Sequence, residues 1–285
     1  MTDLNTQSPK DAQKKFWNFV AYAMLIIGSL MFLLPILFAL TSSFKTDSQI
    51  LEIPPRWIPN PFQWQNYPEA LTYIPFGRYT LNTLIIAVGA ITGNLLSCTI
   101  IAYGFARLRA PGKNFLFILM LSTMMLVEPV RIIPIYIIFD KLGWVDTFLP
   151  MIVPAFFGSP FYIFLLRQFF MGIPRELEDA ALIDGANRLQ ILWRIILPNA
   201  KPALAAVAIF NFQGVWNDFL YPLVFLHKQS NYTIALGLSF YRSMYSVHWG
   251  YLMAASMVAL LPMVIIFFLA QKTFIEGISF TGIKG

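Results

Sequence analysis

The chain has 285 residues and a formal net charge of +6, and 58% of its residues are hydrophobic whereas only 12% are charged. A soluble domain typically carries about twice that charged fraction, so the composition excludes an ordinary soluble protein. The single cysteine, Cys98, excludes an intrachain disulfide framework. The positive charges are spread along the chain rather than gathered in one polar segment, which argues against a nucleic-acid-binding protein.

Apolar runs long enough to cross a bilayer recur along the chain. A helix that crosses the roughly 30 Å hydrocarbon core needs about 20 mostly apolar residues. Uncharged runs of that length lie at residues 19–40, 81–105, 147–166 and 251–270. Two further runs contain charges, because 114–139 holds Glu128 and Arg131, and 203–226 holds Asp218. The runs are continuous rather than alternating, so they predict an all-α membrane protein with six transmembrane helices and not a β-barrel.

The first run, residues 19–40, could in principle be a cleaved signal peptide. It is longer than the apolar core of a typical signal peptide, and the residues that follow it form no clear small-residue cleavage site. We therefore interpret it as a retained membrane span.

The distribution of Lys and Arg predicts the orientation in the membrane. With six spans, both termini lie on one side together with the second and fourth loops, and that side carries thirteen of the 20 basic residues against seven on the other. The positive-inside rule then places both termini in the cytoplasm. We expect a cytoplasmic tail over residues 1–15, a six-helix permease domain over 16–275 and a second cytoplasmic tail over 276–285.

The loop between the fourth and fifth spans, residues 172–202, has the most informative pattern. Pro174 and the acidic residues after it favour the start of a helix, and Gly185 can end that helix by adopting a positive φ. A second helix is predicted over 188–197 and ends at Pro198. Its apolar stripe comprises Leu189, Leu192, Ile195 and Ile196. Periodicity alone favours an amphipathic connector that rests on the lipid headgroups over a docking element.

The residue order in this loop resembles the EAA loop of binding-protein-dependent ABC importer permeases. That motif reads Glu-Ala-Ala, three residues, Gly, and later Ile-x-Leu-Pro; here Asp179-Ala180-Ala181, Gly185 and the Ile-Ile-Leu-Pro of residues 195–198 match it. Asp179 replaces the motif's Glu, which keeps the charge and removes one methylene. The resemblance implies a coupling helix that sits in a cleft of a cytoplasmic ATPase. The residues implied to form that contact are Glu176, Glu178, Asp179, Ala180, Ala181, Asp184, Gly185 and Ala186.

The resemblance to the carbohydrate-type permeases of this family extends over roughly residues 36–285. The segments that carry it are Ser43-Phe44-Lys45, Asn66-Tyr67, residues 102–107, 133–136, 167–170 and 216–219, and the C-terminal residues 271–285. It implies the type I ABC importer permease fold in a bacterial inner membrane. The implied partners are a homologous second permease, two ATPase subunits, an extracytoplasmic solute-binding protein and a carbohydrate. The C-terminal residues implied to reach the ATPase dimer are Thr281, Gly282, Lys284 and Gly285.

Several kinds of chemistry have no support in the sequence. No Gly-x-x-x-x-Gly-Lys-Ser/Thr phosphate loop is present, and the two histidines, His227 and His248, have no ligand-spaced Cys or acidic cluster. We therefore expect a transporter subunit that is not an enzyme and holds no metal or cofactor, with ATP and Mg bound by the partner ATPase. A secondary carrier that works alone with an ion gradient is the alternative, and a membrane-embedded enzyme is a third, less favoured one.

Polar residues inside the fifth span form a predicted substrate path. Polar groups within spans are costly and usually face a bundle interior or water. The predicted path residues are Asn211, Gln213, Trp216, Asn217 and Asp218. The alternative, which we favour, is that these groups bond one another or the partner permease.

In the third span, Glu128 and Arg131 are three residues apart and are expected to form a structural pair. The identity of the carbohydrate cannot be read from the sequence. In the maltose importers that this chain resembles, most substrate contacts come from the larger permease, so direct contact by this chain stays open.

Overall fold

The structure is a computed structural model that describes residues 9–242 and 247–279, with side chains over 13–242 and 247–271. These residues form α-helices, short 3-10 and π-helical segments and loops, and no β-strand. The predicted all-α class is confirmed. The α-helices are α1 (Pro9–Ser42), α2 (Asp47–Ile50), α3 (Asn66–Tyr73), α4 (Phe76–Arg107), α5 (Lys113–Ser122), α6 (Glu128–Lys141), α7 (Leu149–Ile152), α8 (Pro160–Gly172), α9 (Glu176–Ile183), α10 (Arg188–Ile191), α11 (Leu197–Asn199), α12 (Lys201–Asn217), α13 (Leu220–Phe225), α14 (Ile234–Leu238) and α15 (Trp249–Ser279).

Four helical segments of the described chain are long and apolar enough to cross a membrane, and they coincide with the four uncharged runs. Their bounds are Gln13–Ser42, Phe76–Arg107, Leu149–Gly172 and Trp249–Gln271. The third of these is not a regular helix, because a 3-10 turn over Val153–Phe157 and the positive φ of Gly158 separate α7 from α8. Their outward apolar side chains, such as those of α1, suit a lipid environment.

The two charge-containing runs are not straight spans. Lys113–Met125 and Glu128–Lys141 meet at 99°, so the predicted third span over residues 114–139 consists of two helices rather than one straight helix. The break follows from the backbone, since Leu126 and Val127 are extended and Pro129 lies in the first turn of α6.

The fifth predicted span, residues 203–226, begins after a bend, because Arg188–Asn199 and Lys201–Asn217 meet at 80°. This bend separates the predicted loop helix from the predicted span and breaks neither. The predicted run over residues 203–226 is interrupted later, because α12 ends at Asn217 and Asp218 is extended. The described chain therefore contains four spanning helices, or six if each bent pair counts as one span.

The described chain divides into two compact units, residues 9–70 with 247–258, and residues 71–242 with 259–279. In the first unit, two segments that resemble the carbohydrate permeases meet. The Asn66 side-chain amide donates to the backbone carbonyls of Ser43 at 2.9 Å and Lys45 at 2.8 Å, and the Ser43 and Tyr67 hydroxyls lie 2.9 Å apart. These hydrogen bonds fix the turn after α1 through the polar side chains of both segments.

In the second unit, α4 is the central helix and packs against α8, α12 and the 3-10 turn over Val153–Phe157. Gly93 permits this approach, because a Cβ there would lie 2.7 Å from the Phe156 ring. A cluster of buried apolar side chains fills the Arg107 end of α4. Its largest members are Tyr103, Leu166, Phe170, Ile191, Leu192 and Ile196.

A polar clamp in the same unit joins the loop after α6 to the loop after α13. Asp146, at φ 63°, accepts hydrogen bonds through Oδ1 from the backbone N–H groups of His227 at 3.1 Å and Lys228 at 2.9 Å. Its Oδ2 lies 3.1 Å from the Lys228 Nζ. Although partial burial acts to raise it, these hydrogen bonds and the Lys228 ammonium lower the pKa of Asp146 to about 2.

Candidate functional site

The predicted helix at the start of the 172–202 loop is present as α9, Glu176–Ile183. Its first turn carries Glu176, Glu178 and Asp179, whose negative charges favour the positive end of the helix dipole. Gly185 has a φ of +83°, and the Ala186 N–H donates to the Ala181 carbonyl at 2.9 Å, which ends the helix as predicted.

The second half of the loop differs from the prediction. Asn187 and Gln190 form a reciprocal capping box that starts α10. The chain then widens into a π-helical segment, Leu192–Ile196, before α11. The wider turn shifts the apolar register, so Ile191, Leu192 and Ile196 are buried while Leu189 is 62% exposed. The predicted apolar stripe is therefore wrong at Leu189 and omitted Ile191.

One face of α9 is held against the helical core and the other is open. Glu178 and Ala181, three residues apart, are buried, and Ala186 is half-buried. The other predicted coupling residues are exposed. These are Glu176, Asp179, Ala180, Asp184 and Gly185. Ile183, which was not predicted, is 87% exposed at the end of the same helix.

A buried ion pair attaches α9 to α4. The Arg107 Nε lies 2.9 Å from Glu178 Oε1, and the two side chains are 3% and 7% exposed. The Arg107 N–H is not aligned with this oxygen, so the contact is ionic rather than a well-formed hydrogen bond. The Arg107 Nη2 also donates to the backbone carbonyls of Phe170 and Ile173, which close α8. One guanidinium thus joins α4, α8 and α9.

Sequence reasoning placed Glu178 at the ATPase contact and did not find this pair. In the structure its carboxylate faces inward and cannot reach a partner on the exposed side of α9. Two signals were available: Arg107 ends the motif of residues 102–107, and α9 carries two more acids than the EAA motif needs. Their meeting depends on long-range packing, which spacing does not show.

Asp179, the residue that departs from the motif, lines a cavity of about 540 Å³ beside α9. The cavity wall also holds the guanidinium groups of Arg109, Arg175 and Arg188. In the described part of the chain no ion pair within 4.0 Å joins Asp179 to any of them. The Asp179 carboxylate is therefore exposed and surrounded by positive charge without a fixed partner.

A second cavity, of about 800 Å³, lies among α4, α6, the α7–α8 turn and the end of α12. Of the predicted path residues, Asn211, Asn217 and Asp218 line it. Trp216 does not, because it is buried and its Nε1 donates to the Ala259 carbonyl at 3.0 Å. Gln213 is exposed and lies outside the lining.

The Asn211 amide also donates to the Ala90 carbonyl of α4 at 3.3 Å. Asn211 therefore holds α12 on α4 while it lines the cavity.

Two residues that were interpreted as a structural pair also line this cavity. Glu128 and Arg131, in the first turn and a half of α6, line the same cavity as Asp218. No ion pair joins them to each other within the described residues, so the predicted pairing is wrong. The 99° bend before α6 turns this part of the chain toward the end of α12, and sequence spacing does not reveal such a bend.

Two further predictions concern the C-terminus and metal binding. Thr281, Gly282, Lys284 and Gly285, predicted to reach the ATPase, lie outside the described residues. Among the residues that are described, no group of three or more His, Cys, Asp or Glu side chains is placed to hold a metal ion.

Comparison with known proteins bears on the family. Residues 8–279 match the family described as "Binding-protein-dependent transport system inner membrane component". The chain is 33% identical to the diacetylchitobiose uptake system permease protein NgcG of Streptomyces coelicolor, over 91% of this chain and 87% of that protein. It is 34% identical to the sn-glycerol-3-phosphate transport system permease protein UgpE of Yersinia pestis, over 90% of this chain and 94% of that protein. It is 33% identical to the arabinooligosaccharides transport system permease protein AraQ of Bacillus subtilis, over 90% and 92%.

A solved structure supports the fold. A chain of a bacterial ABC transporter involved in the import of the acidic polysaccharide alginate superposes with a TM-score of 0.79 at 23% identity, covering 94% of this chain and 99% of that one. At this identity the likeness concerns the fold, which is that of an ABC importer permease. With the family model over nearly the whole chain and relatives at one-third identity, we conclude that the chain is a multi-pass inner-membrane permease subunit and belongs to the binding-protein-dependent transport system inner membrane components.

Proposed function

We propose that this chain is the permease subunit of an ATP-driven importer that carries a carbohydrate across the inner membrane. The named relatives transport diacetylchitobiose, arabinooligosaccharides and sn-glycerol 3-phosphate, which supports a saccharide or polyol cargo. The importer would contain a homologous second permease, two ATPase subunits that bind ATP and Mg, and an extracytoplasmic solute-binding protein. Both termini and the 172–202 loop would be cytoplasmic, and residues 281–285 would reach the ATPase dimer.

The observation that carries the coupling role is the attachment of α9 to two other helices through one buried pair. Glu178 and Ala181 hold one face of α9 on the core, and Arg107 ties Glu178 to α4 and to the end of α8. A displacement of α9 by a partner that binds its exposed face would therefore be transmitted to α4 and α8. Closure of the ATPase dimer would in this way bias the permease between its inward-facing and outward-facing states.

The exposed face of α9 has the features of a docking surface. Ala180 and Gly185 leave room for close approach, Ile183 offers an apolar contact, and Asp179 and Asp184 offer charge. A connector that rests on lipid headgroups would instead turn apolar and basic side chains outward together. The exposed face of α9 also carries apolar Leu177 and Leu182, but its acidic residues favour docking to a protein over anionic headgroups.

The cavity lined by Asn211, Asn217 and Asp218 would form this chain's part of the substrate path. Amide and carboxylate groups supply the donors and acceptors that hydroxyl groups need, and Phe219 and Tyr221 supply aromatic faces in the same wall.

Purification of the chain from its host membrane, in mild detergent, tests the assembly. An importer subunit should copurify with an ATPase and a second permease at fixed ratio, and the complex should hydrolyse ATP. Recovery of this polypeptide alone, active with an ion gradient and without an ATPase, would establish the secondary carrier instead.

Two glycines provide a matched test of docking. Gly185 and Gly143 have similar positive φ values, +83° and +68°, and a Cβ at either position would meet no atom within 4 Å. A Gly-to-Trp change imposes the same kind of backbone strain at both sites, but only position 185 lies on the proposed docking surface. We expect Gly185→Trp to lose ATP-driven uptake while it still reaches the membrane, and Gly143→Trp to keep most of it. Equal losses in both variants would show that strain, not docking, is responsible.

A further inference from the structure

The 800 Å³ cavity contains an uneven set of charged side chains. Its charged lining groups in the described chain are Glu128, Arg131 and Asp218. Two carboxylates and one guanidinium make the wall net negative. None of the three has an ion-pair partner within 4.0 Å in the described residues, so their charges are not neutralised within this chain.

The carboxylate of Asp218 is positioned rather than free to turn away. Its Oδ1 accepts a hydrogen bond from the Tyr221 N–H at 3.1 Å, and the Leu220 N–H also bonds this carboxylate. Glu128 lines the same cavity as Asp218 and Tyr221. The two acidic groups therefore face the same space, and a ligand in that space meets both.

The remaining polar groups suit hydroxyl-rich ligands. Asn94 and Asn217 line the cavity, and an amide both donates and accepts hydrogen bonds. Carboxylates accept hydrogen bonds from hydroxyl groups and have no donor when ionised. A neutral saccharide can donate to these oxygens and accept from Arg131. A carboxylate or phosphate group on the ligand would gain Arg131 and would face Glu128 and Asp218 as like charges.

We infer that this cavity selects uncharged saccharides and excludes those that carry a carboxylate or a phosphate, with Glu128 and Asp218 as the specificity-determining residues. This inference rests on the proposed function. Such a cavity would accept neutral saccharides of the kind named for the relatives NgcG and AraQ and would reject the glycerol phosphate named for UgpE. Like charges placed against a ligand discriminate against it more strongly than a missing contact does.

The test is direct binding to the purified importer complex without its solute-binding protein, since that protein would impose its own selection. Saturation-transfer-difference NMR detects weak ligands and compares four probes at equal concentration. Diacetylchitobiose and arabinobiose are neutral, and digalacturonate and glycerol 3-phosphate are anionic. We expect saturation transfer to a neutral probe and a signal at least about tenfold weaker for both anions.

The variants assign the discrimination to this chain. In the double variant Glu128→Gln, Asp218→Asn, the anionic probes should gain signal toward the level of the neutral ones. Asp140→Asn, a change to an exposed carboxylate of the same helix α6 that does not line the cavity, should leave the discrimination unchanged.

Each remaining outcome has a distinct meaning. Anionic probes that bind the unaltered complex as well as neutral ones would overturn the inference and leave the carbohydrate-import proposal standing. Discrimination that survives the double variant would overturn the assignment to Glu128 and Asp218. Failure of every probe to bind would overturn the proposed carbohydrate function itself.

Discussion

The coupling loop and the polar cavity use charged residues in opposite ways. In the loop, Glu178 is buried against Arg107, and the pair attaches α9 to α4 and α8. In the cavity, Glu128, Arg131 and Asp218 line open space and form no ion pair in the described chain. A buried pair fixes the position of an element, whereas unpaired groups on a cavity wall remain available to a ligand. Whether a charged side chain has an ion-pair partner inside the chain therefore distinguishes a structural charge from one that is available to a ligand.

Breaking the buried pair should have the largest effect. Glu178→Gln leaves the Arg107 guanidinium buried without a counter-charge, which costs about 3–5 kcal/mol. We expect a large fall in the melting temperature of the purified complex and loss of ATP-driven uptake.

The exposed ion pair Arg56–Glu52 provides the control. Its side chains are 59% and 42% exposed, so Glu52→Gln should change stability by no more than about 1 kcal/mol. The reverse test is the double variant Glu178→Leu, Arg107→Met, which should recover part of the stability because it removes both buried charges. If that double variant has a normal melting temperature but does not support ATP-driven uptake, the charged pair itself takes part in transmitting the movement of the ATPase to the permease.

Asp218→Asn should have the next largest effect, on transport rather than on stability. The change keeps the hydrogen bond that Tyr221 donates and removes one carboxylate from the cavity. We expect the initial rate of uptake of a neutral saccharide to fall about tenfold, because a charged hydrogen bond to the ligand contributes about 1.5–3 kcal/mol. Gln213→Glu, outside the cavity lining, is the control and should change uptake little. Unchanged uptake in Asp218→Asn would remove this residue from the substrate path.

The Asp146 clamp gives a smaller, pH-dependent effect. Its folded-state pKa of about 2 lies below the ordinary value of 3.8, so the ionised form contributes stability that is fully present above about pH 4 and is lost as the pH falls through about 2. Because the Lys228 partner is exposed, we expect Asp146→Asn to cost only about 1 kcal/mol at pH 7. Thermal unfolding measured between pH 2 and pH 6 should show that the two proteins converge at the acid end. A constant gap across this range would contradict the assignment.

The parts of the fold and of the candidate site that the sequence predicts are those determined by neighbouring residues. The four uncharged spans, the start of α9 after Pro174 and its end at Gly185 follow from apolar length, capping and backbone freedom, which are properties of neighbouring residues. The EAA-like residue order carried the family assignment.

The errors arise at irregular backbone segments and where distant parts of the chain meet. The bend before α6 and the π-helical segment Leu192–Ile196 change direction or register by small backbone adjustments that composition does not show. Glu178 was predicted to take part in the ATPase contact, and nothing in its own helix indicates that Arg107, some seventy residues earlier, lies against it. Glu128 and Asp218 were considered separately for the same reason, and only the fold places them on one cavity wall.

Asp179 should show the smallest effect, and it tests how the exposed face of α9 differs from the buried one. Its carboxylate is exposed and, in the described chain, has no ion pair with any of the four arginines that line the same cavity. Asp179→Glu, which restores the residue of the motif, adds one methylene without removing a contact inside this chain. We expect uptake within about twofold of the original and a melting temperature that is unchanged, since exposed substitutions usually alter stability by no more than about 0.5 kcal/mol. Asp179→Lys reverses the charge at the same exposed site and should reduce uptake while stability stays near normal, because the loss then falls on the docked ATPase. A melting temperature that drops as far as that of Glu178→Gln would show that position 179 also holds the loop on the core, and the distinction between the two faces of α9 would fail.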